Sequence, residues 1–223
     1  MHQRKGKKIL IYFFLLILVG SINNINLNNL KFREIRNINV TGLGDNVNSI
    51  LSQEIKDLNL DNIFFINKNE IINQIDTNSL VGKYVVFKKY PSTIDIKVHK
   101  TKFLARINEG GKIYLVGSNG KLSENDFSNN QLPFIFGNPD IDEFLNLRKI
   151  IDQLDISYDS IKNLYFFSSK RWDIELRDNI IIKLSKNNIK DSLKLALEFL
   201  HSNEFKDIKQ IDARIKNQII LND

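Results

Sequence analysis

The sequence predicts an α+β protein: an N-terminal single transmembrane helix, then a small β-α-α-β-β domain, then a β-rich domain with flanking helices. Three observations carry this. An unbroken apolar run, Ile9 to Val19, follows a basic tail. Beyond it, hydrophobic periodicity changes from strand-like to helix-like and back, in the order strand, helix, helix, strand, strand. After residue 102, short alternating segments dominate, interrupted by two helix-like stretches. The 223 residues are 42% apolar, with 34 Ile, enough for one large or two small cores and too much for wholesale disorder. There is no cysteine, which excludes a disulfide scaffold and any thiolate metal site.

The charge is uneven. Arg4, Lys5, Lys7 and Lys8 lie in the first eight residues, which hold no acid. They supply four of the six net positive charges, so the rest of the chain is close to neutral. The run Lys88, Lys89, Lys97, Lys100 and Lys102 spreads over strands as solvated faces, which speaks against a nucleic-acid partner. Gly20, Ser21 and Ile22 extend the apolar run to fourteen uncharged residues, against about 20 for an untilted span. Two readings fit: a signal-anchor whose basic end stays in the cytoplasm, or a signal peptide cleaved near Val19-Gly20-Ser21. Both export the bulk of the chain.

The elements follow in order. Residues 1–8 form the basic tail, 9–27 the membrane segment and 28–34 a polar linker. Ile35, Ile38 and Val40 make a strand closed by the turn Thr41-Gly42-Leu43-Gly44. Ile50, Leu51, Ile55 and Leu58 place a helix over 48–58, and Ile71, Ile72 and Ile75 a second one capped by Asn67 or Asn69. Strands over 85–90 and 93–98 flank Tyr90-Pro91-Ser92 and complete a domain over 35–102. The second domain, 103–223, begins with a hairpin around Glu109-Gly110-Gly111, and Ser118-Asn119-Gly120 signals a type I′ turn. Helices over 139–154 and 189–200 enclose strands over 161–167, 172–176 and 180–184. Two strands, 208–215 and 217–221, close the chain.

Catalytic patterns are missing. His2, His99 and His201 are about 100 residues apart with no helical-spacing partner, and no G-x-S-x-G elbow accompanies them. Asp140, Asp142 and Glu143 open a helix, where acids favour the macrodipole. The ten glycines form neither phosphate-cradling motif. These features point to a binding or scaffolding protein with no cofactor and no metal.

In order, the segments resemble a known family. Ile35-x-x-Ile38-x-Val40-x-Gly42, then Ile63-Phe64-Phe65-Ile66, then Tyr90-Pro91-Ser92-Thr93-Ile94-Asp95-Ile96-Lys97-Val98 resemble a POTRA domain. Ala105, Ile113-Tyr114-Leu115-Val116 with Asn119-Gly120, and Leu132-Pro133-x-Ile135-x-Gly137 continue as in the bacterial cell-division family FtsQ/DivIB. Arg171-Trp172-x-Ile174-x-Leu176, Ile180-x-Ile182-x-Leu184 and Asp212-Ala213-Arg214 resemble the Trp strand, its successor and the D-L-R segment of that family. The chain departs from the pattern at Lys100, Phe103, Gly117, Ala213 and Ile215.

The resemblance implies a non-enzymatic divisome scaffold: single-pass in the bacterial inner membrane, N-terminus cytoplasmic, bulk periplasmic, at the division septum. It implies FtsB/FtsL-like partners taken by strand addition, with FtsK-, FtsW- and FtsI-like proteins as further contacts. On that basis the partner-binding residues are Ile215, Lys216, Asn217, Gln218, Ile219, Ile220 and Leu221 of a weakly guarded terminal strand. Lys170 and Arg171, beside the Trp position, are secondary candidates for an acidic partner segment. The rivals are a POTRA-containing periplasmic transport or assembly component, and a secreted enzyme on a β-rich fold, released after signal cleavage.

Overall fold

The computed structural model describes residues 3–22, 34–58, 60, 63–64, 66–124, 131–202 and 208–222. Helix α1, Gln3–Ile22, takes in most of the basic tail as well as the apolar run. Every side chain from Ile9 to Val19 is exposed, so nothing in the described chain covers this surface. The helix begins six residues before the expected membrane segment over 9–27, and 23–27 lie outside the described residues. No helix among the described residues is long and apolar enough to cross a membrane. The physical reason lies at its start, where Lys7 and Lys8 leave only fourteen uncharged residues, 9–22, within the helix.

The first folded unit is a three-stranded sheet in the order β1-β3-β2, built from β1 Asn37–Thr41, β2 Val81–Lys89 and β3 Thr93–Lys100. β3 runs parallel to β1 and antiparallel to β2. Helices α2, Asp45–Lys56, and α3, Lys68–Thr77, cover one face. Leu51, Ile55, Ile71 and Ile75 pack there on Ile38, Val40, Ile94, Ile96 and Val98, which explains their helical and alternating spacings. Asn67 caps α3 by accepting a hydrogen bond from the Asn69 N–H at 3.1 Å. Gly42 has φ 117°, and a Cβ there would lie 1.8 Å from the Val98 carbonyl oxygen. Only glycine lets β1 leave the sheet at this point.

The second unit is a nine-stranded sheet. Its strands are β4 Phe103–Glu109, β5 Lys112–Gly117, β6 Leu122–Glu124, β7 Phe134–Phe136, β8 Ile161–Phe166, β9 Trp172–Leu176, β10 Ile181–Leu184, β11 Gln210–Ala213 and β12 Ile220–Asn222. They lie in the order β12-β11-β10-β9-β8-β7-β4-β5-β6. Helices α4, Ile141–Ile151, and α5, Ile189–His201, supply Phe144, Leu147, Ile151, Leu193, Ala196 and Leu197 to its core. Trp172, Ile174, Ile182, Leu184 and Ile211 meet them from the sheet.

The β5–β6 turn is not type I′. Asn119 has negative φ, and Gly120 alone takes a positive value, 76°. The Gly120 N–H donates to the Gly117 carbonyl at 3.0 Å and the Gly117 N–H to that of Lys121 at 2.9 Å, a three-residue loop ending in left-handed glycine. Asn119 is turned to another use. Its Nδ2 donates to the carbonyls of Ser79 (2.9 Å) and Val81 (2.8 Å) in the first unit. The Ser123 hydroxyl donates to the Ser79 Oγ at 2.8 Å. These polar bonds tie the two sheets together.

Candidate partner-binding edge

β12 is the end strand of the large sheet. It pairs antiparallel with β11, in the register Gln210↔Asn222, Ile211↔Leu221 and Asp212↔Ile220, and its other side has no strand among the described residues. Alternation splits the apolar residues expected here. Ile219 and Leu221 pack on the core, while Ile220, 44% exposed, stands on the face away from the helices.

The terminal strand is shorter than its sequence suggests. Ile215 to Gln218 form a turn, in which Asn217 has φ 58° and the Gln218 N–H donates to the Ile215 carbonyl at 3.2 Å. The cause sits at the end of β11. Asp212 accepts the Arg214 backbone N–H at 3.1 Å and its guanidinium Nε at 2.8 Å, so the chain folds back on itself instead of extending the ladder. The hydrogen bonds from Arg214 outweigh burial and hold the Asp212 carboxyl below its ordinary range. Ile215, Lys216 and Asn217 consequently line a cleft of about 170 Å³ shared with Asp191, Leu195 and Glu198 of α5.

The outer face carries a transverse row: Phe136, Tyr165, Asp173, Lys183, Asp212 and Ile220 occupy directly paired positions on β7 to β12, excepting only strands of the far half. Asp173 is 3% exposed, and burial pushes its carboxyl up despite the Arg171 guanidinium, whose Nε donates to it at 3.0 Å. Lys183 lies between Asp173 and Asp212 and acts electrostatically on both. In the adjoining row, Glu175 accepts from Lys162 (2.8 Å), Asn163 (2.8 Å) and the Tyr165 hydroxyl (2.6 Å). Burial opposes its charge, yet these donors bring its pKa down to about 2.

The structure separates the two secondary candidates. Arg171 joins the outer face, its guanidinium 4.2 Å from the Phe167 ring centroid. Lys170 pairs at 2.8 Å with Glu143 of α4, on the helical side. β9 lies three strand spacings from β12, about 14 Å, so neither residue is continuous with the edge. Sequence reasoning missed Lys183 and the Asp212–Arg214 clasp as neighbours of Ile220. Residue parity along β10, β11 and β12 was the available signal, but it needs the register to be read. Among the described residues, no three His, Asp or Glu side chains are grouped to hold a metal ion.

Residues 105–214 match the family model for the C-terminal region of the cell division protein FtsQ/DivIB, and residues 33–100 match that for the FtsQ-type POTRA domain. The chain is 27% identical to the cell division protein FtsQ of Rickettsia bellii over 164 residues, covering 70% of this chain and 60% of that protein. It is 30% identical to the cell division protein DivIB of Streptococcus gordonii over 100 residues, 44% of this chain and 25% of that one. A solved structure of the major extracytoplasmic domain of the trans isomer of DivIB from Geobacillus stearothermophilus aligns with TM-score 0.33 and 13% identity, covering 48% of this chain and 98% of that one. The chain thus spans 60% of the length of its Rickettsia bellii relative. With both family models matched in succession along most of its length, the chain belongs to the FtsQ/DivIB family of cell division proteins.

Proposed function

We propose that this chain is a divisome scaffold that captures an FtsB/FtsL-like partner by strand addition to β12. The observation that carries the reading is the unpaired outer side of β12 with Ile220 exposed beside it. An added strand gains main-chain hydrogen bonds from the edge and a contact with Ile220. Lys209 and Lys216 lie near the two ends of β12, which favours an acidic segment. Membership of a cell division family supports a septal setting. FtsK-, FtsW- and FtsI-like proteins are further partners in this reading.

Helix α1 is the inner-membrane anchor, with the basic N-terminus cytoplasmic and the folded units periplasmic. Its uncharged stretch is about 21 Å long, shorter than a bilayer core of about 30 Å. Local thinning and snorkelling of Lys7 and Lys8 make up the difference. The test is co-purification from membranes. A chain ending at Gln218, and separately Ile220→Asp, should remain in the membrane fraction and lose the partner. Retained partner with both variants refutes strand addition at this edge.

A further inference from the structure

The small sheet has a second, uncovered face. Helices α2 and α3 cover the side bearing Ile94, Ile96 and Val98. On the other side, β2 presents Lys83, Val85, Phe87 and Lys89 at alternate positions, and Lys97 of β3 pairs with Val85. Phe87 is 45% exposed, with the Lys97 ammonium 5.7 Å from its ring centroid. The acid on this face, Asp95, is already taken: Lys89 pairs with it and Asn39 donates to it at 2.9 Å. Lys83 and Lys97 therefore remain as cations flanking exposed apolar side chains. At one corner the Phe64 and Tyr90 rings, both more than half exposed, meet in a tilted contact at 5.1 Å.

That corner is where the chain arrives from α1. The N–H groups of Arg36 and Asn37 donate to the Ser92 carbonyl at 2.9 and 3.3 Å, placing the entry beside the Tyr90-Pro91-Ser92 turn. β3 runs away from this end toward Thr101, where the second sheet is attached. The eleven residues 23–33 can span at most about 40 Å, so this corner is kept within that reach of the apolar helix.

We propose that this open sheet face rests on an anionic lipid surface, Lys83 and Lys97 meeting the headgroups and Phe64, Phe87 and Tyr90 the interface. Aromatic rings favour the boundary between headgroups and hydrocarbon, and lysines are drawn to anionic lipid. Near such a surface each lysine contributes about fivefold to the partition. The proposal rests on α1 being the membrane anchor.

The absence of cysteine makes the test direct. Full-length Val85→Cys, and Lys112→Cys on the distal β4–β5 hairpin as reference, are labelled with an environment-sensitive fluorophore and reconstituted in phosphatidylcholine bilayers with or without phosphatidylglycerol. The label at 85 should be quenched by headgroup-attached nitroxide lipid at least fivefold more than the label at 112, in phosphatidylglycerol bilayers only. Adding Lys83→Gln and Lys97→Gln should abolish the difference while Trp172 emission stays native. Equal quenching at 85 and 112 in a chain that floats with the bilayer overturns the lipid-facing surface alone. A chain that fails to float overturns the anchor, and this proposal with it.

Discussion

Replacing Glu175 by Gln isolates the largest electrostatic contribution on the outer face of the second sheet. The fall in pKa from 4.5 to about 2 corresponds to about 3 kcal/mol favouring the folded carboxylate. Glu175 itself is 9% exposed, but the Lys162 partner is 45% exposed, and solvent screening reduces the figure to about 2 kcal/mol. Because the folded pKa is depressed, the stabilisation is complete above about pH 4.5 and disappears as pH falls toward 2. Trp172, the only tryptophan, is buried on the same strand with its ring tilted against Phe166 at 4.8 Å, so its fluorescence reports unfolding of this sheet. Urea titrations of native chain and Glu175→Gln should differ by about 2 kcal/mol at pH 7 and converge near pH 2. A gap of the same size at both pH values would show that Glu175 acts through shape or neutral hydrogen bonding, and the charge argument would fail.

Three further substitutions probe the frame. Gly42→Ala places a methyl group against the Val98 backbone, which cannot yield, and should cost more than about 3 kcal/mol; proteolysis should then open residues 35–100 while Trp172 emission is retained. Gly137→Ala meets the Phe166 carbonyl oxygen at 2.2 Å with φ 91°, and should instead lower the midpoint of the Trp172 transition. Asn119→Ala removes two donated bonds between the units, at a cost of about 1–3 kcal/mol. Small-angle scattering should show a broadened interdomain distance, and an unchanged profile would place the tie elsewhere.

Most of the secondary structure was legible because one face of each element is buried. Leu51 with Ile55, Ile94 with Ile96 and Val98, and Leu193 with Leu197 repeat the period of their element and reach the cores. Two of the three-residue strands, β6 and β7, escaped this reading. β6 buries Ser123 alone and β7 Ile135 alone, and one buried residue has no period. The end of β11 escaped for another reason: Ile211, Ala213 and Ile215 alternate, yet Asp212 binds the Arg214 N–H and stops the strand. A local side-chain bond overrides periodicity, and apolar alternation alone does not reveal it. The candidate edge was legible as an apolar terminus. Its division into the inward Ile219 and Leu221 and the outward Ile220 required the register.

The same clasp makes the edge usable. If β11 ran on through Ile215 in the same register, Ile215 would fall opposite Asn217 and only Lys216 would be left to reverse the chain, too few for β12 to return beside Asp212. By ending β11 at Ala213, the Asp212–Arg214 bonds leave Ile215 to Gln218 as the reversal and deliver Ile220 opposite Asp212. The other end of the sheet is committed differently: the β5–β6 turn is held by Asn119 to the first unit. Seven strand spacings separate β12 from β5, about 34 Å, so a segment added at β12 does not compete with the join between units. Substitutions at the two ends share no contacts, and their effects on stability should therefore add. Among the described residues, one continuous sheet thus holds a fixed attachment to the first unit at one end and an unpaired strand edge at the other, so the two can act independently.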